Sequence, residues 1–237
     1  MERRNFKFKQ FSLSDNHSAM KIGTDGVLLG AWADVENSQS IIDVGAGCGL
    51  ISLMVAQRSN AKVIGIEIDN DASIEAKENV ANSKWGSRIE ILTGDFNDHV
   101  VKNELPIVDH IISNPPFFTN GLLAPSSKRA MARHCDTLSF NDIITSAPKF
   151  LTKNGKLSLI SPIENKDDIM FISEIAGLNL SRITEISSQV GKSPVRVLWE
   201  FCMTDGDCIH DKLAIRDANN NYSDEYIELT NEFYLNF

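Results

Sequence analysis

At 237 residues, with 42% apolar and 23% charged side chains, the chain suits one soluble α/β domain with a full hydrophobic core. No apolar run approaches the roughly 20 residues of a membrane span, and Met1-Glu2-Arg3-Arg4-Asn5-Phe6 lacks a signal peptide's apolar centre, so no membrane partner and a cytoplasmic location are expected. A net charge of −9 excludes a general nucleic-acid coat protein.

The N-terminal run Asn5-Phe6-Lys7-Phe8-Lys9-Gln10-Phe11 alternates apolar and polar residues, which predicts a strand or hairpin. In Gly23-Thr24-Asp25-Gly26-Val27-Leu28-Leu29-Gly30-Ala31, Thr24 or Asp25 is expected to cap a short helix with Val27, Leu28 and Ala31 on its apolar face. Ser40 to Val44 reads as a buried strand, broken by Gly45-Ala46-Gly47-Cys48-Gly49 before a helical pattern from Leu50 to Ala56. Glycines at such a strand-to-helix turn let backbone and helix N-terminus approach a ligand closely. The next strand, Lys62 to Ile66, ends at Glu67, placed about 20 residues past the glycine loop, where one carboxylate can accept from both hydroxyls of a ribose. A helix from Asp71 to Ser83 follows, then a strand from Arg88 to Leu92 that ends at Asp95-Phe96. There the carboxylate suits an adenine amino group, with the phenyl ring beside the base.

The fourth strand, Val108 to Ile112, runs into Ser113-Asn114-Pro115-Pro116-Phe117, where two prolines forbid both strand pairing and helix. The chain must turn outward, presenting the Asn114 amide oxygen and the Pro115 carbonyl as two neighbouring acceptors, with Phe117 as a stacking face. Asp43, Glu67, Asp95 and Asn114 thus fall at four strand ends along one sheet edge, the place where open parallel sheets bind ligands. Later elements are a helix capped by Ser139 with Asp142 at its third position, a strand from Lys156 to Ser161 and a helix from Lys166 to Ala176. Strands Arg182 to Val190 and Arg196 to Met203 follow, joined by a Gly191-Lys192-Ser193-Pro194 turn, and then a helix capped by Ser223. Basic residues cluster at Arg3, Arg4, Lys7 and Lys9, at Lys128, Arg129 and Arg133, and at Lys192 and Arg196. Local patches of this kind can hold one structured RNA despite the acidic total. Cys48, Cys135, Cys202 and Cys208 have no ligand spacing, so reduced thiols and no metal are expected.

Asn114-Pro115-Pro116-Phe117 resembles the active-site motif of S-adenosylmethionine-dependent methyltransferases that modify exocyclic amines, and Asp43-Val44-Gly45-Ala46-Gly47-Cys48-Gly49 resembles their D/E-x-G-x-G-x-G loop. With Lys21 to Gly30, Arg129 to Arg133 and Tyr222 to Tyr226, the likeness spans nearly the whole chain and is to the bacterial tRNA1(Val) (adenine(37)-N6)-methyltransferase family. The resemblance implies a seven-stranded, mostly parallel Rossmann-like sheet flanked by helices, with a final antiparallel strand. It implies one domain over residues 1–237, in which residues 1–35 form an appendage contributing to cofactor and RNA sites. Implied catalytic residues are Asn114, Pro115 and Phe117. S-adenosyl-L-methionine would be held by Lys21, Gly23, Thr24, Asp25, Asp43, Gly45, Gly47, Gly49, Glu67, Asp95, Phe96 and Asn114. A tRNA anticodon loop would be held by Arg3, Arg4, Lys7, Lys9, Arg129 and Arg133 of a monomer. Ribosomal guanine-N2 methyltransferases and release-factor glutamine methyltransferases share Asn-Pro-Pro-aromatic, and an RNA-binding module on the same fold is the non-enzymatic alternative.

Overall fold

The computed structural model describes residues 5–18, 21–116 and 138–237. The alternating N-terminal run forms a hairpin of β1 (Asn5–Lys7) and β2 (Ser12–Ser14), with Asn5 opposite Ser14. At its turn Phe8 and Phe11 fold inward, buried, with ring centroids 4.8 Å apart.

Helix α1 (Thr24–Trp32) is buried from Gly26 to Trp32, all round rather than along the expected stripe, because it lies between the sheet and α2 (Leu50–Arg58). Its N-cap is Gly23, and neither Thr24 nor Asp25 caps it. Gly30 permits the close α1–α2 approach: a Cβ there would sit 2.8 Å from the Met54 sulfur and 3.0 Å from the Met54 Cβ.

The main sheet is built from β3 (Ser40–Val44), β4 (Lys62–Glu67), β5 (Ile89–Thr93), β6 (Val108–Ser113), β7 (Leu151–Pro162), β8 (Asn179–Ser187), β9 (Pro194–Cys202) and β10 (Ile209–Ala214), in the spatial order β10-β8-β9-β7-β6-β3-β4-β5. Strand β9 is antiparallel to both neighbours, and every other pairing in this sheet is parallel. The sheet therefore has eight strands, not the expected seven. The additional edge strand, β10, adds in parallel to β8 with Ile209 opposite Arg182. Its outer residues His210, Asp211 and Lys212 are exposed, as suits an edge guarded by charge.

Helices α3 (Asn70–Ala81), α4 (Phe96–Lys102), α5 (Phe140–Phe150) and α6 (Lys166–Ile175) complete the layers. One core lies between the sheet and α1–α3; the other holds Phe96, Ile143, Phe150, Trp199 and Phe201 against the opposite face. Ser139 and Asp142 form the expected capping box on α5. The last helix, α7 (Asp224–Thr230), is capped by Ser223, whose hydroxyl accepts from the Tyr226 N–H at 3.1 Å. Tyr226 and Thr230 on this helix and Phe233 just beyond it are buried, and the Lys9 N–H donates to the Phe233 carbonyl at 2.8 Å, joining the hairpin to the end of the chain.

Candidate functional site

Parallel pairing in register brings four loops to one edge: Val44 lies opposite both Ile66 and Ser113, and Glu67 opposite Thr93. At or just past these strand ends come the glycine loop, Glu67 with Asp69, Asp95, and Asn114. In the loop Gly45, Gly47 and Gly49 have φ of 74°, 55° and 85°, left-handed values that an L side chain resists. The folded loop is held by N–H donation from Gly45 and Ala46 to the Ile66 carbonyl, at 2.9 and 3.0 Å, and from Gly47 to Glu67 Oε2 at 2.7 Å. Glu67 Oε1 accepts from the Asp69 N–H at 2.8 Å. Each carboxylate oxygen has two lone-pair sites, so one on each remains for a ligand.

These loops enclose a cavity of about 670 Å³, within the range of small-molecule sites. Among the expected residues, Lys21, Gly23, Thr24, Asp25, Gly45, Gly47, Glu67, Asp95, Phe96 and Asn114 line it, together with Pro116. Asp95 caps α4 by accepting from the Asn97 N–H through Oδ1 at 2.8 Å, which fixes the carboxylate at the cavity wall. Phe96 beside it is buried. Asn114 stands across from α1: a Cβ on Gly26 would lie 3.8 Å from its Nδ2.

Asp43, Gly49 and Pro115 do not line the cavity. Asp43 is fully buried beneath the glycine loop, where burial pushes its carboxyl up to about 7 against the hydrogen bond that Ser52 Oγ donates to Oδ2 at 2.6 Å. Gly49 ends the loop and opens α2. Asp25 accepts from Arg196 Nε at 2.9 Å, which pins the first turn of α1 to β9. Lys21 Nζ donates to the carbonyls of Asp15, Asn16 and Ser18, so its ammonium ties down the segment preceding it.

Glu75 and Asn79, overlooked in the sequence, hold the N-terminal segment against the glycine loop. The Glu75 carboxylate accepts from Ser14 Oγ (2.9 Å) and from the N–H groups of Asn16 (2.7 Å), His17 (3.0 Å) and Ser18 (3.1 Å). Burial raises its pKa, yet these hydrogen bonds outweigh that and hold it below the ordinary carboxylate value. Asn79 Nδ2 bridges the carbonyls of Ser14 and Cys48 at 2.9 Å each. The one signal was spacing, since Glu75 and Asn79 flank the apolar Ala72-Ala76-Val80 stripe of α3. Ser18, held this way, lines the cavity over Gly47.

Phe117, Arg3, Arg4, Arg129, Arg133 and Cys135 lie outside the described residues. Lys7 and Lys9 are exposed on the hairpin, and Lys9 Nζ also donates to the Asn231 carbonyl. Cys48 is a buried thiol at the cavity wall, pushed up to about 12 by burial. Among the described residues no group of three His, Cys, Asp or Glu could hold a metal ion, and no helix is long and apolar enough to cross a membrane.

A family model described as "Methyltransferase small domain" matches residues 12–169. A tRNA1(Val) (adenine(37)-N6)-methyltransferase of Bacteroides fragilis (strain YCH46) is 45% identical over 230 residues, covering 97% of each chain. Those of Phocaeicola vulgatus and Haemophilus influenzae are 46% and 37% identical, covering 98% of this chain and 97% and 99% of theirs. In structure the chain is similar to a predicted O-methyltransferase of Agrobacterium tumefaciens, at a TM-score of 0.68 and 24% identity, with 88% of this chain and 96% of that one covered. It is also similar to the T. thermophilus 16S rRNA N2 G1207 methyltransferase in complex with AdoMet and guanosine. There the TM-score is 0.57 at 18% identity, and 85% of this chain and 50% of that one are covered. Likeness at these identities speaks for the fold.

Proposed function

The chain belongs to the methyltransferase small-domain family and, within it, to the tRNA1(Val) (adenine(37)-N6)-methyltransferases, and on that premise we propose how its cavity methylates the N6 amine of a tRNA adenosine. The observation that carries this reading is that Asn114, one of the two amine acceptors, lines the same cavity as the glycine loop, Glu67 and Asp95, so an amine acceptor and a nucleoside site share one space.

The cavity fits S-adenosyl-L-methionine at three points. Left-handed glycines shape a cradle that Cβ atoms would obstruct, since one on Gly47 would come within 3.2 Å of Ser18 Oγ. Glu67 has acceptor capacity for two ribose hydroxyls, and Asp95 with Phe96 suits an adenine edge and face. When bound, the donor supplies an electrophilic methyl group. The chain's residues then do the rest: Gly45 and Gly47 orient the amino-acid end, Thr24 and the Asp25–Arg196 pair shape the wall near α1, and Asp43 stiffens the loop from below.

On the acceptor side, the Asn114 amide oxygen and the Pro115 carbonyl accept the two amine hydrogens. An aromatic amine's lone pair is delocalised into the ring, and binding both hydrogens in a bent geometry favours the transition state in which that pair points at the methyl group. Phe117 supplies the face on which the base stacks, and Arg3, Arg4, Lys7, Lys9, Arg129 and Arg133 hold phosphates of the anticodon loop. The enzyme works as a cytoplasmic monomer without a metal. The test is to incubate the protein with labelled donor and total bacterial tRNA, then digest to nucleosides. Label in N6-methyladenosine supports the reading. Label in N2-methylguanosine or in protein transfers the activity to another acceptor, and no transfer leaves only an RNA-binding module.

A further inference from the structure

Beside the cavity lies a second depression, of about 400 Å³, and Thr24 lines both. Its wall is aromatic, supplied by Phe6 of the hairpin and by Tyr222, Tyr226, Tyr234 and Phe237 from the end of the chain. Two of these rings explain themselves as structure. Tyr226 is buried and stacks on Tyr222 with centroids 5.2 Å apart and 20° between planes, and Tyr234 packs 5.9 Å from Phe8, so together they dock α7 on the hairpin.

Tyr222 and Phe237 differ, being 37% and 44% exposed, with their rings at 84° and 5.8 Å apart. The Arg216 guanidinium lies over the Tyr222 ring, 4.6 Å from its centroid, and is fixed there by donation from Nη1 to the Asn220 carbonyl at 2.7 Å. The Val190 N–H donates to the Arg216 carbonyl at 2.8 Å, which fixes the backbone beneath that guanidinium. The adjacent carboxylate, Asp217, is engaged through Oδ1 by the N–H groups of Asn219 and Asn221, at 2.8 and 2.9 Å. The exposed Phe237 ring beside a guanidinium fixed on Tyr222 in one concavity matches a nucleobase and its phosphate, and unpaired bases are recognised by stacking on aromatic rings and guanidinium planes.

We propose that this aromatic depression binds a nucleobase of the substrate RNA that neighbours the base being methylated, with Phe237 and Arg216 as its stacking surfaces. The inference rests on the RNA-methylating reading of the main cavity. Thr24, shared by the two depressions, places the neighbour's site next to the target's, so a base flipped into the cavity leaves its neighbour facing the Tyr222–Phe237 corner. Holding both bases fixes the register of the loop and makes the depression a specificity device for the reaction.

The test compares wild type, Phe237→Ser and Arg216→Gln on an anticodon stem-loop RNA, intact or abasic at the position immediately 5′ or 3′ of the target. Loss of one stacked base should raise the wild-type KM for RNA by about 5- to 100-fold at one of the two positions, with kcat retained. Each variant should show a similar rise on intact RNA, no further penalty on the abasic RNA, and wild-type affinity for S-adenosyl-L-methionine. Such non-additivity is what a direct contact produces. Phe237→Leu keeps apolar bulk without the π face and serves if the serine variant unfolds. Variants that keep the wild-type KM, or that lose equally on intact and abasic RNA, overturn the proposal while leaving the methyl-transfer reading in place. A wild-type protein that methylates no RNA overturns both.

Discussion

Replacing Glu67 by Ala should weaken S-adenosyl-L-methionine binding through two separable effects. Within the fold the carboxylate accepts from Gly47 at 2.7 Å and from Asp69 at 2.8 Å, so its removal loosens the glycine loop. Its remaining lone pairs are assigned to two ribose hydroxyls, and a hydrogen bond to a charged group contributes about 1.5–3 kcal/mol. Losing both ribose bonds corresponds to a drop in affinity on the order of 10²- to 10⁴-fold. Calorimetry with the natural donor product and with an analogue lacking the ribose hydroxyls separates the effects. If Glu67 binds the ribose, the variant's penalty shrinks sharply for the analogue, whereas a role confined to the loop penalises both ligands alike. Equal losses for the two ligands, or no loss for either, would refute the ribose assignment.

Glu75→Ala removes the acceptor for four hydrogen bonds that pin residues 14–18, and should cost about 2–4 kcal/mol in urea unfolding while also weakening donor binding; an unchanged unfolding midpoint would show the segment held by other contacts. Gly47→Ala forces a side chain into φ of 55° and should lower stability by about 1–2 kcal/mol, with a loss of donor affinity measured in the same preparation. Two buried groups give opposing pH dependences. Asp43, raised to about 7 from 3.8, keeps its proton in the fold while the unfolded chain has lost it, so its contribution falls as pH rises through that window. His110, lowered by burial to about 3 from 6.5, is neutral in the fold and charged when unfolded, so stability is lost as pH falls below 6.5. Between pH 4.5 and 6.5 the two slopes, each about 1.4 kcal/mol per pH unit, largely cancel. Asp43→Asn should therefore reveal a stability that climbs with pH across this range, and a profile as flat as wild type would contradict the protonated Asp43.

Much of the site was legible because its chemistry sits where strands must end. A β-branched run closed by alternating glycines, a carboxylate at the next strand end and a pair of prolines each break the local pattern for a visible steric reason, and in the structure Glu67, Asp95 and Asn114 do meet at one cavity. What escaped depends on contacts distant in sequence. Asp25 reads as a helix cap until Arg196, 171 positions away, is seen to hold it. Glu75 looks like a solvated helix position until residues 14–18 fold over it. Strand β10 is short, exposed and charged, so no alternation marks it, and only its pairing with β8 makes it a strand. Asp43 fits the methyltransferase loop pattern by position, but its burial beneath that loop follows from packing on α2 through Ser52.

The most direct test of the central claim, that Asn114 acts on an exocyclic amine inside this cavity, is single-turnover methyl transfer to tRNA by Asn114→Ala with donor affinity measured on the same sample. One preorganised acceptor of this kind contributes about 10²–10³ in rate, so turnover should fall by that factor while the donor Kd stays near wild type. A wild-type rate in the variant would contradict the claim and remove Asn114 from the reaction.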